Sequence, residues 1–211
     1  MLRVGLTGGM SCGKSVVGEM FVALGAHLIQ SDTVAHQLMQ PGEAVYAEVV
    51  RHFGSGILNP DKSVNRARLA EAAFGQPSRI EELNRIVHPA VIERENRWMD
   101  EIAQEDANAI AMVEAALILE AKAQKRFDRL IVVTCLPEQR AERWAKRTKV
   151  DLESARREVV RRMAAQLPDE EKVKAADYVI DNSGSLDETQ EQVKQIYEKL
   201  RAEEKRSGAQ A

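Results

Sequence analysis

A stretch near the N-terminus carries the clearest chemistry in the sequence. Gly8–Ser15 reads GGMSCGKS and matches G-x-x-x-x-G-K-[ST] at every fixed position. In this pattern, backbone N–H groups point at a phosphate, the lysine reaches the β- and γ-phosphates and the hydroxyl ligates Mg²⁺. A turn that only joined a strand to a helix would not need that lysine and hydroxyl. The pattern predicts a nucleoside triphosphate site formed by Gly9, Ser11, Cys12, Gly13, Lys14, Ser15 and Val16.

The sequence also indicates which nucleotide is bound. It contains no N-K-x-D motif, the usual guanine-recognition pattern of GTP-binding proteins. ATP is therefore favoured over GTP. Mg²⁺ would accompany ATP, with Ser15 as one ligand.

Two acidic residues follow predicted strands and could serve phosphoryl transfer. Asp32 comes shortly after the apolar run 27–30, and Glu114 ends the run Ile110–Val113. Because the carboxyl ends of parallel strands form the ligand-binding edge of a sheet, both acids are expected beside the phosphate loop. Asp32 could accept the proton of an acceptor hydroxyl or orient Mg²⁺, or it could cap the next helix. Glu114 could hold Mg²⁺ through water, or it could be a surface acid at a strand end.

Arginines in the second half of the chain could bring positive charge to a phosphate. Arg140, Arg143 and Arg147 are spaced three and four apart on one predicted helix, and Arg162 with Gln166 shares a face of the next. Such side chains could close over a transferring phosphoryl group. A solvated charged helix face has the same spacing, so the spacing leaves both interpretations open.

The histidines and tryptophans give weaker indications. The four histidines lack metal-ligand spacing, and His88 before Pro89 could be a turn residue or an acceptor contact. Trp98 and Trp144 lie in amphipathic helical stretches, which favours packing over base stacking.

The two cysteines, Cys12 and Cys135, are far apart and form no C-x-x-C pair. This pattern fits a reducing compartment better than a zinc ribbon or a redox motif. Cys12 lies inside the phosphate loop, next to a predicted helix N-terminus, an environment that favours the reactive thiolate. We therefore expect oxidation or alkylation at Cys12.

The spacing of apolar residues predicts an α/β fold. Arg3–Thr7 reads as a strand that runs into the glycine loop, and apolar residues then recur with helical spacing from Val16 to Leu24. Strands alternating with helices imply a parallel sheet covered on both faces, the three-layer P-loop architecture. Further short strands are predicted at His27–Gln30, Ala109–Val113, Leu130–Val133 and Tyr178–Ile180.

Several regions outside the sheet are expected to be helical. The connection between 32 and 108 is far longer than one crossover helix, so an insertion at about 33–108 should be mostly helical. The segment from about residue 138 to about residue 168 should form two paired, exposed helices, the first of which begins at Pro137. The last helix should begin at Ser185, where Glu188 would complete a capping box.

The domain organisation follows from these elements. Residues 1–204 would form one domain, with two small domains as the alternative, and 205–211 would be a disordered tail.

Composition and charge exclude several classes of protein. Of 211 residues, 44% are hydrophobic and 30% charged, with a formal net charge of −3, an ordinary globular balance. The net charge gives no general attraction to nucleic acid or acidic membranes, so neither is an expected partner. Glycines occur before a signal-peptide core could form and no apolar run could span a bilayer, which indicates a cytoplasmic protein. A monomer and a small homo-oligomer both fit the sequence.

Short motifs along nearly the whole chain match one pattern in order. The matching stretches are Val4–Gly9 with Gly13-Lys14-Ser15, Asp32, Pro41-Gly42, Phe53-Gly54 with Ile57-Leu58, Arg66 with Leu69, Leu83-Asn84, His88-Pro89, Leu117–Glu120, Arg140, Arg162 with Gln166, and Ala176-Asp177 with Ile180–Gly184. So many matches in the same order are hard to reach by chance, and through them the chain resembles the dephospho-CoA kinase family.

The resemblance implies an enzyme that uses ATP and Mg²⁺ to phosphorylate the ribose 3′-hydroxyl of dephospho-CoA. The products would be coenzyme A and ADP, in the last step of coenzyme A biosynthesis. It also implies a P-loop core with a helical acceptor-binding insertion and a mobile helical lid. The residue roles that it implies are catalysis for Asp32, Lys14 and Arg140, nucleotide contacts for Arg140, Arg162 and Asn182, acceptor contacts for Asp32, Arg66, His88 and Leu117, and metal contacts for Ser15 and Glu114.

The sequence departs from the family pattern at several positions. Ser11-Cys12 stands where the family usually has Gly-Ser, Glu114 where it has aspartate, and Ala116 where proline is common. The lysine and hydroxyl of the phosphate loop are unaffected by these departures.

Two other functions fit the residues. One is a different small-molecule or nucleoside-monophosphate kinase with the same core, which acceptor preference would distinguish. The other is a nucleotide-dependent switch, which ATP consumption without a phosphorylated product would indicate.

Overall fold

The computed structural model describes residues 1–74 and 77–208. The chain divides into two compact units, one formed by Met1–Ile29 with the chain from Glu101 onward, the other by Gln30–Asp100. Within the described residues, no helix combines the length and apolar character needed to cross a membrane. The helices are α1 (Lys14–Ala23), α2 (Ser31–Leu38), α3 (Ala44–Phe53), α4 (Arg66–Phe74), α5 (Pro77–Glu105), α6 (Pro137–Thr148), α7 (Leu152–Met163), α8 (Asp169–Lys174) and α9 (Leu186–Gly208).

One sheet forms the centre of the first unit. Its strands are β1 (Leu2–Gly8), β2 (His27–Gln30), β3 (Ile110–Glu114), β4 (Arg129–Thr134) and β5 (Tyr178–Asp181), in the order β2-β3-β1-β4-β5. β1 pairs in parallel with β3 and with β4, and β4 pairs in parallel with β5. Each predicted strand overlaps one of these, so the predicted α/β P-loop architecture is confirmed.

Apolar side chains pack the sheet against α1 and α9. Side chains alternate along a strand, so Leu2, Val4 and Leu6 of β1 share one face. All three are buried in one cluster with Phe21 of α1 and Leu200 of α9. Burial of side chains of this size contributes roughly 1.5–3 kcal/mol each. This packing fixes the end of β1 and therefore the start of the phosphate loop.

The opposite face of β1 is also covered. A Cβ at Gly5 would lie 2.9 Å from Phe127 and 3.0 Å from Leu130. Leu130 and Phe127 belong to a second apolar cluster with Ile118. The strand is thus buried on both sides, as parallel strands require.

α6 and α7 pack against each other, as the sequence predicted. α6 begins at Pro137, in agreement with the preference of proline for the first turn of a helix. The Asp151 carboxylate caps α7 by accepting a hydrogen bond from the Ser154 N–H at 2.8 Å.

The end of α7 differs from the prediction. The helix stops at Met163, so Gln166 does not share a helix face with Arg162. The Gln166 N–H donates to the Met163 carbonyl at 3.0 Å, in a turn that departs from the α-helical path.

The last helix begins as predicted but ends later. Ser185 and Glu188 form the capping box, since the Glu188 carboxylate accepts from the Ser185 N–H at 2.7 Å and the Ser185 hydroxyl accepts from the Glu188 N–H at 3.2 Å. α9 continues to Gly208, so the disordered tail predicted at 205–211 is wrong for 205–208. Residues 209–211 lie outside the described residues.

The unit Gln30–Asp100 is built from α2, α3, α4 and most of α5. His88 and Pro89 lie inside α5, so the suggestion that His88 is a turn residue is wrong. Proline disfavours a helical conformation at the residue before it. Here the helix continues because Val87 and Val91, one turn apart, are both buried.

Candidate active site

The phosphate loop connects the end of β1 at Gly8 to the start of α1 at Lys14. Gly13, immediately before α1, has a φ of +95°, a conformation that residues with a Cβ rarely adopt. A Cβ at Gly13 would also collide with the side-chain amide of Asn182. Glycine is therefore required here by both the backbone and the neighbouring side chain.

The Lys14 ammonium lies against the loop. Its Nζ donates hydrogen bonds to the carbonyl oxygens of Gly8 and Gly9, both at 3.1 Å. These bonds hold a positive charge on the loop, where a lysine of this motif meets the β- and γ-phosphates.

Ser15 and Glu114 bring two candidate metal ligands together. The Ser15 hydroxyl donates to the Glu114 carboxylate at 2.8 Å, from the first turn of α1 to the end of β3. Across the described residues, no group of three or more His, Cys, Asp or Glu side chains could hold a metal ion. The pair nevertheless fits Mg²⁺, which usually takes one or two protein oxygens and completes its shell with phosphates and water.

Arg140 lies directly over the loop but is paired with a carboxylate. Its side chain is 1% exposed, and its Nη2 donates to Asp169 at the start of α8. Its Nη1 lies 3.6 Å from the Met163 sulfur, and a Cβ at Gly9 would collide with the same nitrogen. Within the described part of the chain, Nε is buried and has no hydrogen-bond partner. The guanidinium therefore has unused donors beside the loop.

Arg143 and Asn182 hold the loop backbone from the other side. Both donate to the Cys12 carbonyl, Arg143 at 3.2 Å and Asn182 at 2.8 Å. Arg143 also donates to the Asn182 carbonyl at 2.8 Å, and the Asn182 side-chain oxygen accepts from Thr189 at 3.0 Å. The resemblance implied a nucleotide contact for Asn182, and the structure places its side chain against the backbone of the phosphate loop.

Arg162 makes its contacts away from the loop. Its Nε donates to Glu158 at 2.5 Å, and its guanidinium lies 4.8 Å from the centre of the Trp144 ring. Hydrogen bonds from Arg161 and Arg162 lower the pKa of Glu158 to about 2. Both partners of Arg162 lie on α6 and α7, and the nucleotide contact implied for it stays a prediction. Trp144 packs between Arg162 and Arg147, which stacks on the ring at the same distance of 4.8 Å.

The remaining loop residues differ in exposure. The Ser11 hydroxyl oxygen is buried and, among the described residues, has no partner, which suits an anion in the loop. Val16 is 42% exposed. Cys12 is fully buried in the core beside β1 and α1, which argues against the predicted reactivity of this thiol. Its side chain packs in the core cluster with residues of β1 and α1, where a reagent cannot reach it.

The acceptor candidates lie in both units. Asp32 is exposed in the first turn of α2, where Gln30 is the N-cap and makes no side-chain cap bond, so Asp32 is not the helix cap. Arg66 is exposed at the start of α4. Leu117 is 40% exposed in the turn after β3 and belongs to the first unit.

His88 is the half-buried candidate of the second unit. Burial lowers the pKa of His88 from its ordinary value of 6.5, against the opposing effect of the Glu95 carboxylate. The imidazole is therefore neutral at pH 7 and can both donate and accept a hydrogen bond.

The comparisons with known proteins decide the family. A model of the family described as dephospho-CoA kinase matches residues 2–188. A dephospho-CoA kinase from Aquifex aeolicus is 40% identical over 202 residues, covering 95% of this chain and 98% of the relative. The chain belongs to the dephospho-CoA kinase family. Members of the family catalyse the ATP-dependent phosphorylation of dephospho-CoA, the last step of coenzyme A biosynthesis, and the chain is a small-molecule kinase.

Solved structures share the fold of this chain. A protein from Thermus thermophilus superposes with a TM-score of 0.77 at 28% identity, covering 94% of this chain and 97% of that chain. A dephospho-CoA kinase from Campylobacter jejuni superposes with a TM-score of 0.68 at 23% identity, covering 95% and 97%, and supports the fold.

For this dephospho-CoA kinase family member, sequence reasoning missed several residues around the loop. Arg143 was noticed by its spacing but not selected, although three-residue spacing from Arg140 was a usable signal. Asp169 and Thr189 contact site residues only through tertiary structure, so no local pattern marked them. Lys172, whose side chain is fully buried and pairs with Glu120 at 2.9 Å, was missed for the same reason.

Proposed function

We propose that the chain transfers the γ-phosphoryl group of Mg²⁺-ATP to the ribose 3′-hydroxyl of dephospho-CoA. The observation that carries this proposal is the phosphate loop, in which Lys14 lies on the loop carbonyls and Ser15 meets Glu114. A loop of this kind binds a triphosphate and a metal ion together. The family supplies the acceptor.

Charge neutralisation is the main task of the loop residues. Lys14 would leave the Gly8 and Gly9 carbonyls for the β- and γ-phosphates. Ser15 would ligate Mg²⁺ directly and Glu114 through water, and the bound Mg²⁺ would neutralise developing charge on the phosphates. Arg140 would add Nη1, which lies beside Gly9, and Nε, which has no partner among the described residues. Stabilisation of this kind is usually the largest single contribution to catalysis.

Asp32 would act on the acceptor hydroxyl. Its carboxylate is exposed in the first turn of α2. From there it can orient the 3′-hydroxyl and accept its proton as the phosphoryl group transfers.

The helices α6 and α7 would serve as the lid. α6 already contacts the loop through Arg140 and Arg143. Arg162 would reach a phosphate only by leaving Glu158, to which it is bound by a charge-assisted hydrogen bond of 2.5 Å. Closure would therefore exchange one anionic partner of Arg162 for another.

The unit Gln30–Asp100 would bind the acceptor. It contains a groove of about 420 Å³ between α3 and α5, lined by Val45, Glu48, Arg85 and Pro89 among others. Pro89 directly follows His88, and the groove combines apolar and charged groups. This groove suits the long, neutral pantetheine arm of dephospho-CoA.

Turnover by an Asp32→Asn variant tests the proposal. With Mg²⁺-ATP and dephospho-CoA, we expect ADP release to fall at least a hundredfold while the Kd for ATP stays within about twofold, because general base catalysis contributes about 10²–10⁴. The matched control is Asp187→Asn, an exposed aspartate in the first turn of α9, which should release ADP at the wild-type rate. Unchanged turnover in Asp32→Asn would remove Asp32 from the mechanism.

The same assay separates the other functions. A nucleoside-monophosphate kinase would release ADP faster with AMP than with dephospho-CoA. A switch would release ADP at one slow rate whatever the acceptor.

A further inference from the structure

Asp169 occupies an unusual position for a carboxylate. It pairs with the buried guanidinium of Arg140, and its Oδ1 would lie 3.0 Å from a Cβ at Gly9. A negative charge is thus held against the loop that takes the triphosphate. Nothing in the role of a phosphate site requires an anion there, since like charges at this distance repel.

The ordinary explanation for Asp169 does not account for its contacts. As the first residue of α8 it could favour the helix N-terminus, and Glu170 and Glu171 in the same turn supply that charge as well. α8 has no side-chain cap bond because its N-cap is Pro168, and the Asp169 carboxylate pairs with Arg140. The contact with Arg140 therefore distinguishes Asp169 from the other two acidic residues in the first turn of α8.

The state of Arg140 shows what this contact does. A guanidinium taken out of water must be paired, since an uncompensated buried charge is strongly destabilising. Asp169 engages Nη2 alone, Nη1 faces Gly9, and Nε is buried and has no partner among the described residues. The carboxylate of Asp169 thus balances the charge of Arg140, while some N–H groups of the guanidinium make no hydrogen bond within the described part of the chain.

We propose that Asp169 is a positioning residue that holds Arg140 over the loop in the nucleotide-free enzyme and yields it to the triphosphate on binding. The proposal rests on the proposed ATP site. Asp169 competes with the phosphates for the same guanidinium, so it weakens ATP binding and keeps Arg140 in place between turnovers. The competition should also speed the release of ADP.

Calorimetric titration of Mg²⁺-ATP into Asp169→Asn tests this inference. We expect the Kd for ATP to fall about tenfold relative to wild type, because a repelling charge is removed and Arg140 gains an uncontested partner. KM for ATP should fall with it, while kcat should fall a few-fold as ADP leaves more slowly. Asp169→Glu, which keeps the charge, should restore the wild-type Kd, and Asp187→Asn should leave it unchanged.

Thermal unfolding gives the second readout. Without nucleotide, Asp169→Asn should melt at a lower temperature than wild type, and saturating Mg²⁺-ATP should raise its Tm by more than it raises that of wild type. If the variant binds ATP no more tightly than wild type, or gains no extra Tm, the inference is overturned. Failure of wild type itself to bind ATP would instead overturn the proposed function.

Discussion

Side chains around the phosphate loop divide into those that face the nucleotide site and those that hold the loop. Lys14, Ser15 and the unused donors of Arg140 belong to the first group. Arg143 and Asn182 belong to the second, since both donate to the Cys12 carbonyl. The division predicts that changes in the first group alter turnover, whereas changes in the second loosen the loop.

Glu114 can be tested through the magnesium dependence of the reaction. In Glu114→Gln, we expect the Mg²⁺ concentration that gives half the maximal rate to rise about tenfold, because a neutral amide holds metal-bound water less strongly than a carboxylate. Glu114→Asp, which restores the residue usual in the family, should stay within about threefold of wild type. Identical magnesium titrations for Glu114→Gln and wild type would show that this carboxylate does not serve the metal.

The two thiols should be unreactive in the folded protein. Cys12 and Cys135 are both buried, and burial raises the pKa of Cys135 further from the range in which thiolate forms. Titration with a chromogenic disulfide at pH 8 should label neither within minutes, and both after unfolding in urea. Rapid labelling of the native protein, with the adduct mapped to Cys12, would contradict the structure and restore the expectation drawn from the sequence.

At the scale of elements, α8 joins two parts of the site. Asp169 at its start pairs with Arg140, and Lys172 one turn later pairs with Glu120 at 2.9 Å. The Lys172 ammonium also donates to the Ala116 carbonyl at 3.5 Å, in the turn that follows Glu114. α8 therefore positions both a phosphate-side arginine and the strand end that carries the candidate metal ligand.

The Lys172 ion pair has a testable energetic consequence. Lys172→Met leaves the partly buried Glu120 uncompensated, and we expect the free energy of unfolding in urea to fall by about 3 kcal/mol. The double variant Lys172→Met with Glu120→Leu should recover most of this loss, because both charges are then absent. The control is Lys174→Met on the same helix, where the exposed pair with Glu171 should contribute little stability. A loss in Lys172→Met no larger than in Lys174→Met would show that the pair carries little stability.

The elements that the sequence predicted well are those whose position depends on a local pattern of residue types. The five strands, the phosphate loop, the first-turn Pro137 and the capping box at Ser185 all depend on residues within a few positions of one another. His88-Pro89 was open to misreading because the local preference of proline for turns is overridden by the buried valines of α5.

The parts of the site that the sequence did not reveal depend on distant contacts. Asp169 meets Arg140 across 29 positions and Asn182 meets Cys12 across 170. The burial of Cys12 likewise follows from the packing of β1 and α1, not from its neighbours in the loop. No spacing rule covers such pairs.

At the scale of the whole molecule, stability should depend on pH through His88. Its folded-state pKa is lowered by burial, so the folded protein binds fewer protons than the unfolded chain once the pH falls to about 6.5 and below. The free energy of unfolding should therefore decrease as the pH falls from 7.5 to 5.5. In His88→Gln this decrease should be smaller, whereas the exposed His36→Gln should follow wild type. Equal slopes of Tm against pH for wild type and His88→Gln would contradict this account.

The most direct test of the central claim is the mass of the product that wild-type protein forms from Mg²⁺-ATP and dephospho-CoA. The account predicts that dephospho-CoA gains one phosphate, at the 3′ position, at a rate far above that of ATP hydrolysis without acceptor. If protein shown to bind ATP leaves dephospho-CoA unchanged, the acceptor and the reaction proposed here are both contradicted.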